Sequence, residues 1–101
     1  MLSAEQVQSA INSSFEPEHR GTALDILTRT NGFGSRTRIA ILALANGSIR
    51  ELERLADAAN EDSRNILYWA EFPEAAGIST KVEMAARYRK MGIPVPPPLE
   101  S

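Results

Sequence analysis

The chain has 101 residues, of which 43% are hydrophobic and 24% charged, and its formal net charge is −2. This length suits a single domain, and the composition excludes an intrinsically disordered chain. The absence of cysteine excludes disulfide bonds and thiolate metal sites, and it fits a reducing compartment.

The N-terminal residues lack the basic and apolar stretches of a signal peptide. The longest apolar run, residues 39–45, is too short to span a bilayer. We therefore expect a cytoplasmic protein that makes no contact with a membrane.

Capping signals predict two helices in the first third of the chain. Ser3 and Gln6 have the spacing of a capping box, which predicts a first helix from about residue 4 to 13. Pro17 suits the first turn of a second helix, and Asn31-Gly32 is a typical helix end. The residues expected to face the core are Val7, Ala10, Ile11 and Phe15 in the first helix, and Leu24, Ile26 and Leu27 in the second.

A central helix is predicted for residues 36–45. Ser35 is its expected N-cap, and Asn46-Gly47 its expected end. Residues 39–45 are apolar on every side, which is typical of a helix in the middle of a fold. A buried strand followed by a hairpin turn is the competing interpretation, but the alanines and the helical period that follows favour a helix.

Three further helices are predicted after this segment. Ser48 and Thr80 each begin a capping-box pattern, which predicts a fourth helix to about residue 59 and a sixth that closes at Gly92. The fifth helix begins at Asn60 or Asp62 and must end before Pro73. Its expected inward residues are Ile66, Trp69 and Ala70.

The predicted fold is therefore an all-α compact bundle of about five to six short helices, with one domain over residues 1–92. Residues 93–101 are rich in proline and are expected to form an extended tail. The preferred interpretation is a strap across its own domain. A disordered tail or a P-x-x-P ligand segment is the alternative.

Catalytic and metal-binding patterns are not found in the sequence. His19 is the only histidine, and no glycine-rich phosphate loop is present. The carboxylates between residues 57 and 74, including Glu71 and Glu74, are interpreted as solvated helix faces and caps. We expect no enzyme activity and no cofactor or metal.

The sixth helix carries more apolar surface than one packing face needs. A second stripe, Met84, Tyr88 and Met91, is bordered by Arg87, and Tyr68 lies in the densest aromatic segment. These five residues are the candidate interaction surface of a protein-interaction or structural module that binds a partner or itself. The alternative is that the tail folds back over the stripe.

Residues 36–71 also resemble a helix-turn-helix, the alternative function. This resemblance implies that Ser63, Arg64 and Asn65, with Tyr68, face a nucleic-acid groove. Two features disfavour it. Glu61 stands where the motif has an apolar residue, and residues 51–74 hold seven acidic side chains against two arginines, a charge of −5 that repels phosphates.

Overall fold

A computed structural model describes residues 3–29 and 33–100 of the chain, and this part is helical without any strand. The all-α bundle predicted from the sequence is confirmed. The helices in the described ranges are α1 (Ala4–Ser14), α2 (Pro17–Thr28), α3 (Ser35–Ala45), α4 (Ile49–Glu61), α5 (Ser63–Glu71), α6 (Lys81–Lys90) and α7 (Pro97–Glu100).

Helix α3 is the centre of the bundle. Every residue from 39 to 45 is buried, because a helix without a polar face gains most when other elements surround it. Helices α1, α4, α5 and α6 all pack against it. The predicted central helix is thus confirmed, and its position sets where the other helices lie.

Side-chain caps begin most of the longer helices. Ser3 and Gln6 form the full capping box of α1: the Gln6 N–H donates to Ser3 Oγ at 3.3 Å, and the Ser3 N–H donates to Gln6 Oε1 at 2.8 Å. The caps of α4, α5 and α6 each accept one backbone N–H, and they are Ser48, Asp62 and Thr80.

Two local predictions for α2 and α3 are wrong. Gly34, not Ser35, is the N-cap of α3, and it caps without a side-chain hydrogen bond. Leu24 is exposed, because Ala23, Ile26 and Leu27 already fill the inward face of α2. The end predicted at residues 31–32 lies outside the described residues.

Left-handed residues end α3 and α6. Asn46 has φ 50° and Gly47 has φ 84°, so the chain reverses between α3 and α4. Gly92 has φ 72°, and the N–H of Ile93 donates to the carbonyl of Tyr88 at 3.0 Å. This hydrogen bond, from residue i+5 back to residue i, is typical of a Schellman motif, and the motif directs the tail back across α6.

The tail packs on its own chain, but it is not extended throughout. Residues 97–100 form the short helix α7, because prolines are tolerated in a first turn where no N–H is needed. Ile93 and Leu99 are buried in the common core and hold the two ends of the segment. None of the helices in the described ranges is long and apolar enough to cross a membrane.

Candidate functional site

The apolar stripe of α6 is covered within one chain. Met84, Tyr88 and Met91 are 0%, 3% and 4% exposed. Helices α3 and α7 both pack against α6. The expectation that these three residues form an exposed interaction surface is therefore wrong. The tail supplies the extra packing face that the wide stripe requires.

Arg87 has a structural contact. Its side chain is half-buried, and Nη1 donates to the carbonyl of Ala43 at 3.1 Å. Ala43 lies in the last turn of α3, where carbonyls have no partner inside the helix. Arg87 thus satisfies one of these carbonyls and places a positive charge at the negative end of the α3 dipole.

Tyr68 lies apart from the α6 residues, on the outer face of α5. It is 47% exposed, and its ring stacks on that of Phe72, which is 44% exposed. The ring centroids are 5.7 Å apart, with 28° between the ring planes. The two side chains are one helical turn apart, so α5 presents them as a single aromatic pair.

The residues that the helix-turn-helix interpretation assigns to a nucleic-acid groove all lie on α5, the helix that carries Tyr68. Arg64, Asn65 and Tyr68 are exposed, and Ser63 is half-buried. Only Asp62 separates α4 from α5, whereas a helix-turn-helix has a turn of three or four residues.

The Arg64 guanidinium is bound to the cap of its own helix. Its Nε and Nη2 donate to the two carboxylate oxygens of Asp62, each at 3.1 Å. These hydrogen bonds lower the pKa of Asp62 and raise that of Arg64. The ion pair lies at the surface, since the Arg64 side chain is 90% exposed, and such exposed pairs are weak.

Helix α4, which packs against α5, has an acidic face. Glu53, Asp57 and Glu61 recur every four residues and are exposed, and none forms an ion pair with another described residue. Glu51, on another side of α4, is paired with Arg54 at 2.7 Å, and this contact lowers the pKa of Glu51. The outer surface of α4 is thus predominantly negative.

Glu71 is a buried carboxylate that the sequence interpretation assigned to a solvated face. It is 7% exposed, and Nη2 and Nε of Arg36 donate to its Oε2 at 2.6 and 3.2 Å. The ion pair joins the first turn of α3 to the last residue of α5. One signal was available in the sequence: Glu71 follows Leu67 by four residues, which places it at the edge of the inward face.

The Tyr88 hydroxyl is close to this ion pair. Burial raises the pKa of Tyr88 above its usual range, and the negative charge of Glu71 raises it further against the smaller effect of Arg36. The phenol is therefore neutral at physiological pH. It makes no hydrogen bond to any residue within the described ranges.

A cleft of about 520 Å³ opens beside these three side chains. Arg36, Glu71, Tyr88 and Gln6 line one side, and residues 93–98 of the tail line the other. The site therefore exists only because the tail packs back over α6. Residues from α1, α3, α5 and α6 meet at it.

A second groove of about 310 Å³ lies between α4 and the loop after α5. Trp69 lines it and is half-buried, so it packs against the core without lying fully inside it. The other lining residues are Leu44, Glu51, Arg54, Leu55, Ala76 and Ile78.

Within the described ranges, no three His, Asp or Glu side chains are grouped to hold a metal ion. His19 is exposed and lies 3.5 Å from the neighbouring Glu18. No protein-family model, curated protein or solved structure matches the chain.

Proposed function

We propose that the protein is a protein-interaction module that self-associates through the aromatic pair of α5, Tyr68 and Phe72. The observation that carries the proposal is that both rings remain nearly half exposed although they are stacked on each other. Pairing of two such faces removes aromatic surface from water, and tyrosine is frequent at the energetically important centres of interfaces.

The charges around the pair favour a second copy as the partner. Arg64 lies four residues before Tyr68, and Glu74 lies two residues after Phe72, and both are exposed. A twofold interface requires a surface that complements itself. If two α5 helices cross antiparallel at their aromatic pairs, the N-terminal end of each lies beside the C-terminal end of the other. Arg64 of one copy then approaches Glu74 of the other.

Light scattering across a concentration series tests self-association. The expected average mass rises from 11.1 kDa toward twice that value, and the Tyr68→Ala/Phe72→Ala double variant is expected to remain monomeric. Leu24→Ala is the matched control, since Leu24 is an exposed apolar residue on α2, a different helix. A dissociation constant of about 1 mM corresponds to a binding free energy of only about 4 kcal/mol. A chain that remains strictly monomeric at about 1 mM would therefore contradict the proposal.

A charge exchange tests the antiparallel arrangement. Arg64→Glu and Glu74→Arg are each expected to weaken the dimer, and the combination is expected to restore it. Equal loss in all three variants would contradict this geometry while leaving the aromatic contact intact.

Nucleic-acid binding through Ser63, Arg64 and Asn65 is less well supported. The neighbouring face of α4 is acidic, and residues 51–74 carry a charge of −5, which repels phosphates. Titration of labelled DNA at about 50 mM salt is the direct test, since phosphate contacts are strongest at low salt. We further propose a cytoplasmic location, which the lack of cysteine supports.

A further inference from the structure

We propose that the cleft beside Arg36, Glu71 and Tyr88 binds a small neutral molecule that carries an amide-type group, an N–H next to a C=O, on an apolar body. This site is separate from the aromatic pair of α5. The inference depends on the shape of the cleft and on the hydrogen-bonding groups that the fold leaves available inside it.

The size and walls of the cleft suit a small ligand. Its volume of about 520 Å³ lies within the range of roughly 300–1,000 Å³ that is usual for such sites. Ile93 and the prolines of residues 94–98 form an apolar wall. Since proline has no N–H, this wall offers ring surface and carbonyl oxygens but few donors.

The polar end of the cleft combines an available acceptor with available donors. Both hydrogen bonds from Arg36 end on Oε2 of Glu71, so Oε1 accepts none from the part of the chain that the structure describes. Nη1 of Arg36 is not used in the ion pair, and the Tyr88 hydroxyl is without a partner within the same ranges. An N–H donated to Oε1 and a C=O that accepts from Arg36 or Tyr88 would satisfy these groups together.

The charge balance selects a neutral ligand. Arg36 and Glu71 neutralise each other, and Tyr88 keeps its proton. A carboxylate in the cleft would approach Glu71, and an ammonium group would approach Arg36. Either one would add an unpaired charge to a partly buried site, which is unfavourable. An amide avoids both penalties and still makes hydrogen bonds.

Three probes of nearly equal shape test this selectivity: benzamide, benzoate and benzylamine, which are neutral, anionic and cationic at pH 7. Each is titrated into the ¹⁵N-labelled full chain, and amide chemical shifts are followed. Benzamide is expected to give saturable shifts at residues 36, 71, 88 and 93. Benzoate and benzylamine are expected to bind at least about tenfold more weakly, which is the cost of about 1.4 kcal/mol.

Two matched substitutions locate the binding. Tyr88→Phe removes the hydroxyl inside the cleft and keeps the ring, so it is expected to weaken benzamide binding by about fivefold to tenfold. Thr22→Val removes an exposed hydroxyl on α2, outside the cleft and outside the aromatic pair, and is expected to leave binding unchanged. The ¹⁵N spectrum of each variant verifies that it is folded.

Several results would overturn the proposal. The first is the absence of benzamide shifts up to about 20 mM, roughly twentyfold above a dissociation constant of about 1 mM, which is typical of weak binding. The others are shifts confined to other surfaces, and binding of benzoate or benzylamine as tight as that of benzamide. The probe series uses the unmodified chain, so it decides the question even where a variant is unstable.

Discussion

Gly47 lies directly against the backbone at the end of α1: a Cβ atom on this residue would be 2.9 Å from the carbonyl oxygen of Ser14. Gly47 also has φ 84°, a conformation that side chains disfavour. The turn between α3 and α4 therefore needs glycine for two separate reasons, and one of them is a contact with a helix more than thirty residues earlier.

We expect Gly47→Ala to lower the free energy of unfolding by about 3 kcal/mol, from a left-handed alanine and from the clash with Ser14. Gly77→Ala separates the two effects. Gly77 has φ 72° but has nothing within 4 Å of the added Cβ, so its expected cost is only about 1 kcal/mol. Urea unfolding of both variants measures the difference, and equal losses would contradict the close contact.

The hydrogen bond from Arg87 to the Ala43 carbonyl predicts a loss of stability on substitution. Arg87→Met keeps the aliphatic packing but leaves the carbonyl of α3 without its donor, so we expect a loss of about 1 to 2 kcal/mol. Arg89→Met is the control, because Arg89 is exposed on the same helix and its side chain has no partner within the described ranges. Its expected effect is near zero, and a loss equal to that of Arg87→Met would disprove the specific contact.

Tyr88 predicts how stability depends on alkaline pH. Folding raises the pKa of Tyr88 above its ordinary value of 10.0, so the folded state holds the proton more tightly than the unfolded state. The resulting stabilisation is complete below about pH 10 and is lost as the pH rises further. Urea unfolding at pH 8, 10 and 11 should show this decline in the native chain. The decline should be smaller in Tyr88→Phe, and identical pH profiles would refute the prediction.

The ion pair between Arg36 and Glu71 predicts strong coupling in a double-mutant cycle. Arg36→Met leaves a buried carboxylate without its partner, and we expect a loss of about 2 kcal/mol, reduced because Arg36 itself is largely exposed. Glu71→Met removes the buried charge and should cost less. The double variant should lose less than the two single losses together. Additive losses in urea unfolding would mean that the pair contributes no coupling energy.

Helix positions were largely predictable from the sequence because their signals are local. A cap such as Ser3 or Thr80 acts on an N–H three residues away, and the seven apolar residues of α3 are adjacent in the chain. These interactions require only that the helix forms. The all-α class and the central position of α3 follow from them.

The burial of side chains at the edge of a helix's inward face was not predictable, because it depends on which other helix or loop packs against that edge. Leu24 is apolar yet exposed, and Glu71 is charged yet buried. Both stand at the edge of an inward face, where the helical period alone does not decide the environment. Met84 and Met91 are buried in the common core because α6 packs against both α3 and α7, and α7 forms because its prolines fall in a first turn.

The helices, their caps and the apolar centre of the bundle can be read from the chain, since these features depend on contacts within about four residues. The cleft, and the exposure of the aromatic pair, depend instead on how the helices pack together. Arg36 and Glu71 are 35 residues apart in the chain, and Tyr88 joins them only when α3, α5 and α6 have packed. Contacts between residues so far apart in the chain depend on how whole helices pack, and no local sequence pattern specifies that packing.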